Sequence, residues 1–381
     1  MKKSLLALAI LGAFAGVASA QSSVTLYGTL DVNARVVSND GSARRYSLSQ
    51  DGVNSSQLGF KGVEDLGGGL KAGFVLLSGV NTDTGTTNTK FFNRRATVSL
   101  MGNFGEVRLG RDYTPSFWNN TIFDAFGTVG LGDSTGVKQV SAPGFVRADN
   151  SIGFFLPSNI GGIYGQFMAA AGEGAVPAAA TGTVNGGNAP GRYLGGRIGY
   201  AAGPFDVAVS YATQRVVGLT FTAADLAQAG TVAGSSVSSL ALGAGTYKSA
   251  NIGGSYDLGV VKLMGYFNRE TLNTATDNVY SISAVVPMGQ GEIHAGYDRS
   301  KLSDTGVSNK VDKLALGYVY NLSKRTAVYT NVARLSNGNA TAVTLGAVGS
   351  ASGLASSNSA TALPTVGGKS TGAEFGVRHF F

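Results

Sequence analysis

The chain has 381 residues, a formal net charge of +7, 57 glycines, no cysteine and only 13% charged residues. Without cysteine there is no disulfide framework, and the scattered Lys and Arg form neither a basic run nor a basic helix, which argues against nucleic acid as a partner. Mean hydropathy is slightly positive, too apolar for a secreted soluble surface, yet beyond Val17 no apolar run approaches the ~18 residues of a helical membrane span.

Residues 1–20 read as a cleaved secretory signal peptide. Lys2 and Lys3 precede an apolar run from Leu5 to Val17, and Ala18-Ser19-Ala20 supplies a small-x-small cleavage site. The run is shorter than the ~20 residues that span a bilayer as a helix. Residues 21–381 are expected to form one domain.

From Val24 to Val36 the residues alternate. Val24, Leu26, Leu30, Val32 and Val36 fall on one face, and Tyr27, Asp31, Asn33 and Arg35 fall on the other. Period two over this length predicts a β-strand with one apolar and one polar face. Seven hairpins with the same pattern follow, over 55–77, 91–111, 147–171, 192–214, 247–269, 278–301 and 311–335. Each turns through a short linker holding Gly, Pro, Asn or Asp, as tight turns require. Thr371–Phe381 supplies a last strand, making sixteen with the first. Long segments rich in Ser, Thr, Gly, Ala and Asn separate the hairpins. An even strand count, with short turns on one side and long loops on the other, predicts an all-β fold: a 16-stranded antiparallel transmembrane barrel whose apolar face meets lipid and whose polar face lines the lumen.

The alternation stops between Tyr113 and Val146. This stretch holds Trp118, the only tryptophan, with Phe117, Phe123, Phe126, Asp124 and Asp133. It exceeds the ~12–15 residues of an ordinary unstructured loop, and solvated loops rarely carry so many aromatics. A packed insert inside the barrel is the expectation.

Little in the chain could do chemistry. The only histidines are His294, on a polar strand face, and His379, near the chain end. No His-centred triad, metal-ligand spacing or phosphate-binding loop is present, so neither enzyme activity nor a cofactor is expected.

The motifs together resemble a Gram-negative general porin of the β-proteobacterial outer-membrane type. The resemblance is carried by QSSVTLYGTLDVN at Gln21–Asn33, GFKGVEDLGGGLKAGF at Gly59–Phe74, NRRATVSLMGNFGEVRLGRDYTP at Asn93–Pro115, GYVYNLSKRT at Gly317–Thr326 and GVRHFF at Gly376–Phe381. It implies a homotrimer in the outer membrane, contacting lipid and lipopolysaccharide, with the third long loop infolded. It also implies that Phe381 is read by the barrel-assembly machinery. Basic residues on the early strands, here Arg35, Lys61, Arg94, Arg95 and Arg147, would form one wall of a constriction. Acids at the loop, Asp112, Asp124 and Asp133, would form the other, and Asp124, flanked by Phe123 and Phe126, is expected to line the passage. Strand phase points Arg94 outward, so a bulge or a position near the membrane interface is required of it. Gln57 stands where relatives can carry arginine, so the expected anion preference is weak. The function implied is passive, size-limited diffusion of small hydrophilic solutes and ions. A substrate-selective channel would differ by saturating, and a plugged barrel serving as anchor or adhesin would not conduct.

Overall fold

The computed structural model describes residues 23–87, 90–140, 145–172, 191–216, 219–220, 241–242, 245–304, 307–339, 341–346 and 364–381. The expected leader, residues 1–20, lies outside the described residues. Sixteen antiparallel strands close into a barrel: β1 Ser23–Asn39, β2 Gln57–Gly67, β3 Leu70–Asn81, β4 Arg95–Gly102, β5 Gly105–Tyr113, β6 Arg147–Phe155, β7 Ile163–Ala170, β8 Tyr193–Ala202, β9 Phe205–Val216, β10 Gly245–Asp257, β11 Lys262–Leu272, β12 Ala275–Met288, β13 Gly291–Asp304, β14 Val307–Asn321, β15 Thr326–Asn337 and β16 Lys369–Phe380.

Each strand pairs with its neighbours in sequence, and β1 closes the barrel on β16, with Thr29 opposite Phe380 and Arg35 opposite Glu374. Pairing reaches the last residue: the Phe381 amide donates to the Gly28 carbonyl at 3.1 Å, and the Gly28 amide donates to the Phe381 carbonyl at 3.0 Å. Closure removes the unpaired edges that hydrocarbon could not solvate.

The alternation on β1 falls as its sequence dictates. Val24, Leu26 and Leu30 are exposed on the outer wall, whereas Asp31, Asn33 and Arg35 are buried inside. The same inversion holds on later strands, where Leu194, Ile252, Leu314 and Phe375 are exposed outward. For a membrane barrel these apolar side chains face lipid, so their exposure carries no water penalty.

The first long segment departs from expectation. After β1 the chain returns as a short strand, Arg45–Gln50, paired to the upper part of β1. Residues 51–56 then fold inward. The reason is Asp31: its carboxylate accepts the backbone N–H groups of Gly52 at 3.1 Å, Val53 at 3.0 Å and Asn54 at 2.8 Å. Tyr329 donates its hydroxyl to the same carboxylate.

The described part of the Tyr113–Val146 stretch, 113–140 and 145–146, folds into the barrel as expected. Its first part is a helix, α1, Pro115–Ile122, started by Thr114, whose side chain accepts from the Phe117 amide, with Pro115 in the first turn. That is where a missing N–H and a fixed φ are tolerated best. A 3-10 turn at Ser134–Val137 follows, capped by Asp133. Between them the loop crosses to the far wall. The Ala125 amide donates to Ser283 Oγ at 3.0 Å, the Leu131 amide to Glu374 Oε1 at 3.3 Å, and the Gln139 amide to Asp277 Oδ2 at 2.7 Å. Phe123, Phe126, Leu131 and Val137 join inward apolar residues of β1, β9, β11, β12, β14 and β15 in one buried cluster. Phe145 and Val146 join Tyr113, Tyr247 and Leu272 in a second, against which Phe117 and Trp118 pack.

Candidate constriction site

Tyr113, at the end of β5, sits where the strand passes into the infolded loop, and it is 7% exposed. On one side its ring stacks on Phe117, with centroids 5.8 Å apart, and meets Trp118 at 5.3 Å. On the other side it faces arginines. The Arg147 guanidinium lies 4.4 Å from the ring centroid and donates from Nη2 to the Tyr113 hydroxyl at 3.0 Å. Arg95 lies 5.7 Å from the same centroid. Cations over an aromatic face are held by its quadrupole, and the loop aromatics fix the ring in turn.

Arg94 completes the group. It lies just before β4, so strand alternation does not govern its direction. Its charge acts on Tyr113, on Arg147 and on Asp51, all inner-wall groups. The Nε atoms of Arg94 and Arg147 are buried without a hydrogen-bond partner among the described residues. Three of the five expected basic residues, Arg94, Arg95 and Arg147, therefore converge on one tyrosine that sequence reasoning passed over.

The other two do not join them. Arg35 is 4% exposed, its Nη2 lying 2.7 Å from Glu374 Oε2. Its charge is cancelled within the wall. The register that closes the barrel sets these two residues opposite each other, and both lie on polar strand faces, so the pairing could have been read once closure was assumed. Lys61 is exposed on β2, 5.2 Å from the Tyr27 ring centroid, and is paired in register with Thr25 and Val75. It stands nearer the short-turn end than the arginine group.

The acids correct a stronger expectation. Asp124, expected to line the passage, is 5% exposed and ties the loop together. It accepts from the Phe126 amide at 3.0 Å, the Thr128 amide at 3.0 Å, the Ser134 amide at 3.1 Å and the Ser134 hydroxyl at 2.7 Å. Burial pushes its carboxyl above the usual range, and the Phe126 and Ser134 hydrogen bonds oppose the shift. Asp133 caps the 3-10 turn, accepting from the Thr135 amide at 2.7 Å and its hydroxyl at 2.6 Å. Asp112 is 1% exposed and bridges Arg95 at 2.7 Å and Arg108 at 2.6 Å. It shares a strand face with Arg108 and follows a shift of register between Gly110 and Asp112, where β6 carries the extra residue. Each acid is consumed by local bonding, which is what a buried carboxylate requires.

One acid that the sequence did not single out does face the arginines. Asp51, in the infolded 51–56 segment, accepts from the Ser56 amide at 2.6 Å. Burial raises its pKa to about 6, against the Ser56 hydrogen bond and the Arg94 charge, and the nearby Asp31 adds to the rise.

The sequence profile of the Gram-negative porin family matches residues 7–340. The chain belongs to the Gram-negative porin family. It is 37% identical over 394 residues to outer membrane porin protein 32 of Delftia acidovorans, covering 100% of both chains. It is 30% identical over 401 residues to an outer membrane porin of Bordetella pertussis, covering 91% of this chain and 99% of that one. Among solved structures, an anion-selective porin from Comamonas acidovorans is similar at TM-score 0.76 and 34% identity, covering 95% of this chain and 100% of that one. This outer-membrane porin therefore presents an inner wall with three clustered arginines, facing a loop whose acids are internally spent.

Proposed function

We propose that this porin is a passive, size-limited channel for small hydrophilic solutes with a preference for anions. The observation that supports it is the convergence of Arg94, Arg95 and Arg147 on Tyr113 while Asp124 and Asp133 are buried in loop hydrogen bonds. A cluster of one sign framed by low-dielectric walls concentrates counter-ions and raises their rate of entry. Asp112 offsets part of Arg95, and Asp51 offsets part of Arg94, so the preference is modest. The anion-selective porin from Comamonas acidovorans, similar in fold and sequence, supports the same sign.

The reading extends to assembly. The chain is exported by its leader, cleaved after Ala20, and forms a homotrimer surrounded by lipid and lipopolysaccharide. Phe381, whose ring covers Gly28 on the outer wall, is read by the assembly machinery. Phe381→Ala should cut the folded, heat-modifiable fraction in the outer membrane several-fold, and unheated gels should show a trimer. Planar-bilayer recording tests the channel itself: conductance linear in solute concentration and a reversal potential on the anion side are expected. Saturating conductance would contradict passive diffusion, and a cation-side potential would contradict the selectivity.

A further inference from the structure

The outer wall over β6–β9 carries a groove of about 440 Å³ lined by two hydrogen-bonded rows of residues. One row runs Phe154, Phe167, Gly196, Tyr211 across the four strands. The other, one step nearer the long-loop end, runs Ile152, Ala169, Leu194, Thr213. Residues directly opposite in an antiparallel pair share a face, so both rows point away from the lumen. Gly196 makes the notch. A Cβ there would come within 2.7 Å of the Phe167 ring, which lies against the wall beside it.

Both rows continue onto a cation. Thr213 is paired with Lys248 on β10. Tyr211 is paired with Ala250, and Ala250 with Arg269 on β11. Lys248 is opposite Thr271, so Lys248 and Arg269 are diagonal neighbours, with Cα atoms ~7–8 Å apart. Both are exposed. Neither has an ion-pair or hydrogen-bond partner among the described residues. Arg215 stands beyond Thr213 on the same face and donates to Thr246 Oγ1 at 2.8 Å. No acid shares the described outward face of β8–β11. Uncompensated cations on a lipid-facing wall are unfavourable unless they reach headgroup level and find an anion there.

We propose that this face is a seat for a phosphorylated lipid of the outer leaflet. An acyl chain lies in the groove at Gly196, and a phosphate sits between Lys248 and Arg269. The two rows give the ligand its polarity, carbon over four strands and charge on the next two. Charge-assisted hydrogen bonds from Lys and Arg to phosphate supply the specificity. The proposal rests on the outer-membrane placement of the barrel and is independent of anion selectivity, because every residue invoked points away from the lumen.

Native mass spectrometry of the folded porin in detergent tests it, with hexa-acyl diphosphoryl lipid A and its dephosphorylated form as probes. The wild type should retain the phosphorylated probe, with retention falling about tenfold for the dephosphorylated one and for the Lys248→Gln/Arg269→Gln double variant. Single-channel conductance should be unchanged in that variant, which also establishes that it folds. Gly196→Leu should lower retention of both probes by filling the notch. Equal retention by wild type and double variant, or equal retention of the two probes, would overturn the proposal. So would failure of the wild type to retain lipid together with Leu194→Cys cross-linking to its twin, since a second copy would then cover the groove.

Discussion

Phe123 occupies the space that a side chain on Gly253 would need. The ring is fully buried, and a Cβ built on Gly253 would collide with it. The infolded loop is thus keyed into the wall of β10 by a knob and an empty socket. Gly296 and Gly317 give the Phe126 ring a shallower seat, with a built Cβ at 3.2 Å from it in each case.

Filling the socket should displace the loop. Gly253→Val would force Phe123 outward at a cost of about 1–3 kcal/mol, the usual range for overpacking. The expected readout is a changed single-channel conductance with more current noise. A variant with wild-type conductance and noise would show that the Phe123–Gly253 contact does not position the loop.

Asp31 holds the 51–56 segment through three backbone N–H groups. Asp31→Ala leaves those donors without their anionic acceptor and should destabilise the fold by about 3 kcal/mol. Urea titration of the heat-modifiable gel band measures this. Unchanged resistance to urea would mean that the segment is held by something else.

Asp124→Asn separates a structural acid from a pore-lining one. Its amide would aim hydrogens at donors that now point to a carboxylate oxygen, costing roughly 1–3 kcal/mol. Selectivity should stay unchanged, because the carboxylate is shielded inside the loop. A shift in reversal potential without loss of stability would return Asp124 to the passage wall.

Asp51 should give the channel a pH dependence. Burial sets its pKa at about 6 in the folded chain, above its ordinary 3.8. Its charged form therefore costs stability above about pH 6, and that cost is relieved as pH falls toward 4. Protonation also removes the negative charge beside Arg94. Anion preference should rise as pH drops from 7.5 to 5, and Asp51→Asn should show the raised preference at both values. A step of opposite sign, or one that survives in Asp51→Asn, would refute the assignment.

The barrel was legible because period-two alternation recurs along sixteen strands and short turns are sorted from long loops between them, both of them local patterns. The infolding of Tyr113–Val146 was legible from its break in period and its aromatics. The roles of the acids were not. Asp124 is spent on Ser134, ten residues away, a pairing that composition does not mark, whereas Arg35 meets Glu374, 339 residues away, through the register that closes the barrel. The inward turn of residues 51–56 was missed because Asp31, which holds it, reads as an ordinary lumen residue. Arg94 was misplaced by phase because β4 begins one residue after it.

We propose that the selective wall is the arginine cluster at Tyr113 and not a pair of opposed charged walls. The reversal potential of Arg94→Ala/Arg147→Ala against wild type in a KCl gradient tests it most directly. An anion-side potential is expected for the wild type and a clear shift toward zero or beyond for the double variant. An unchanged potential in that variant, or a cation-side potential in the wild type, would contradict it.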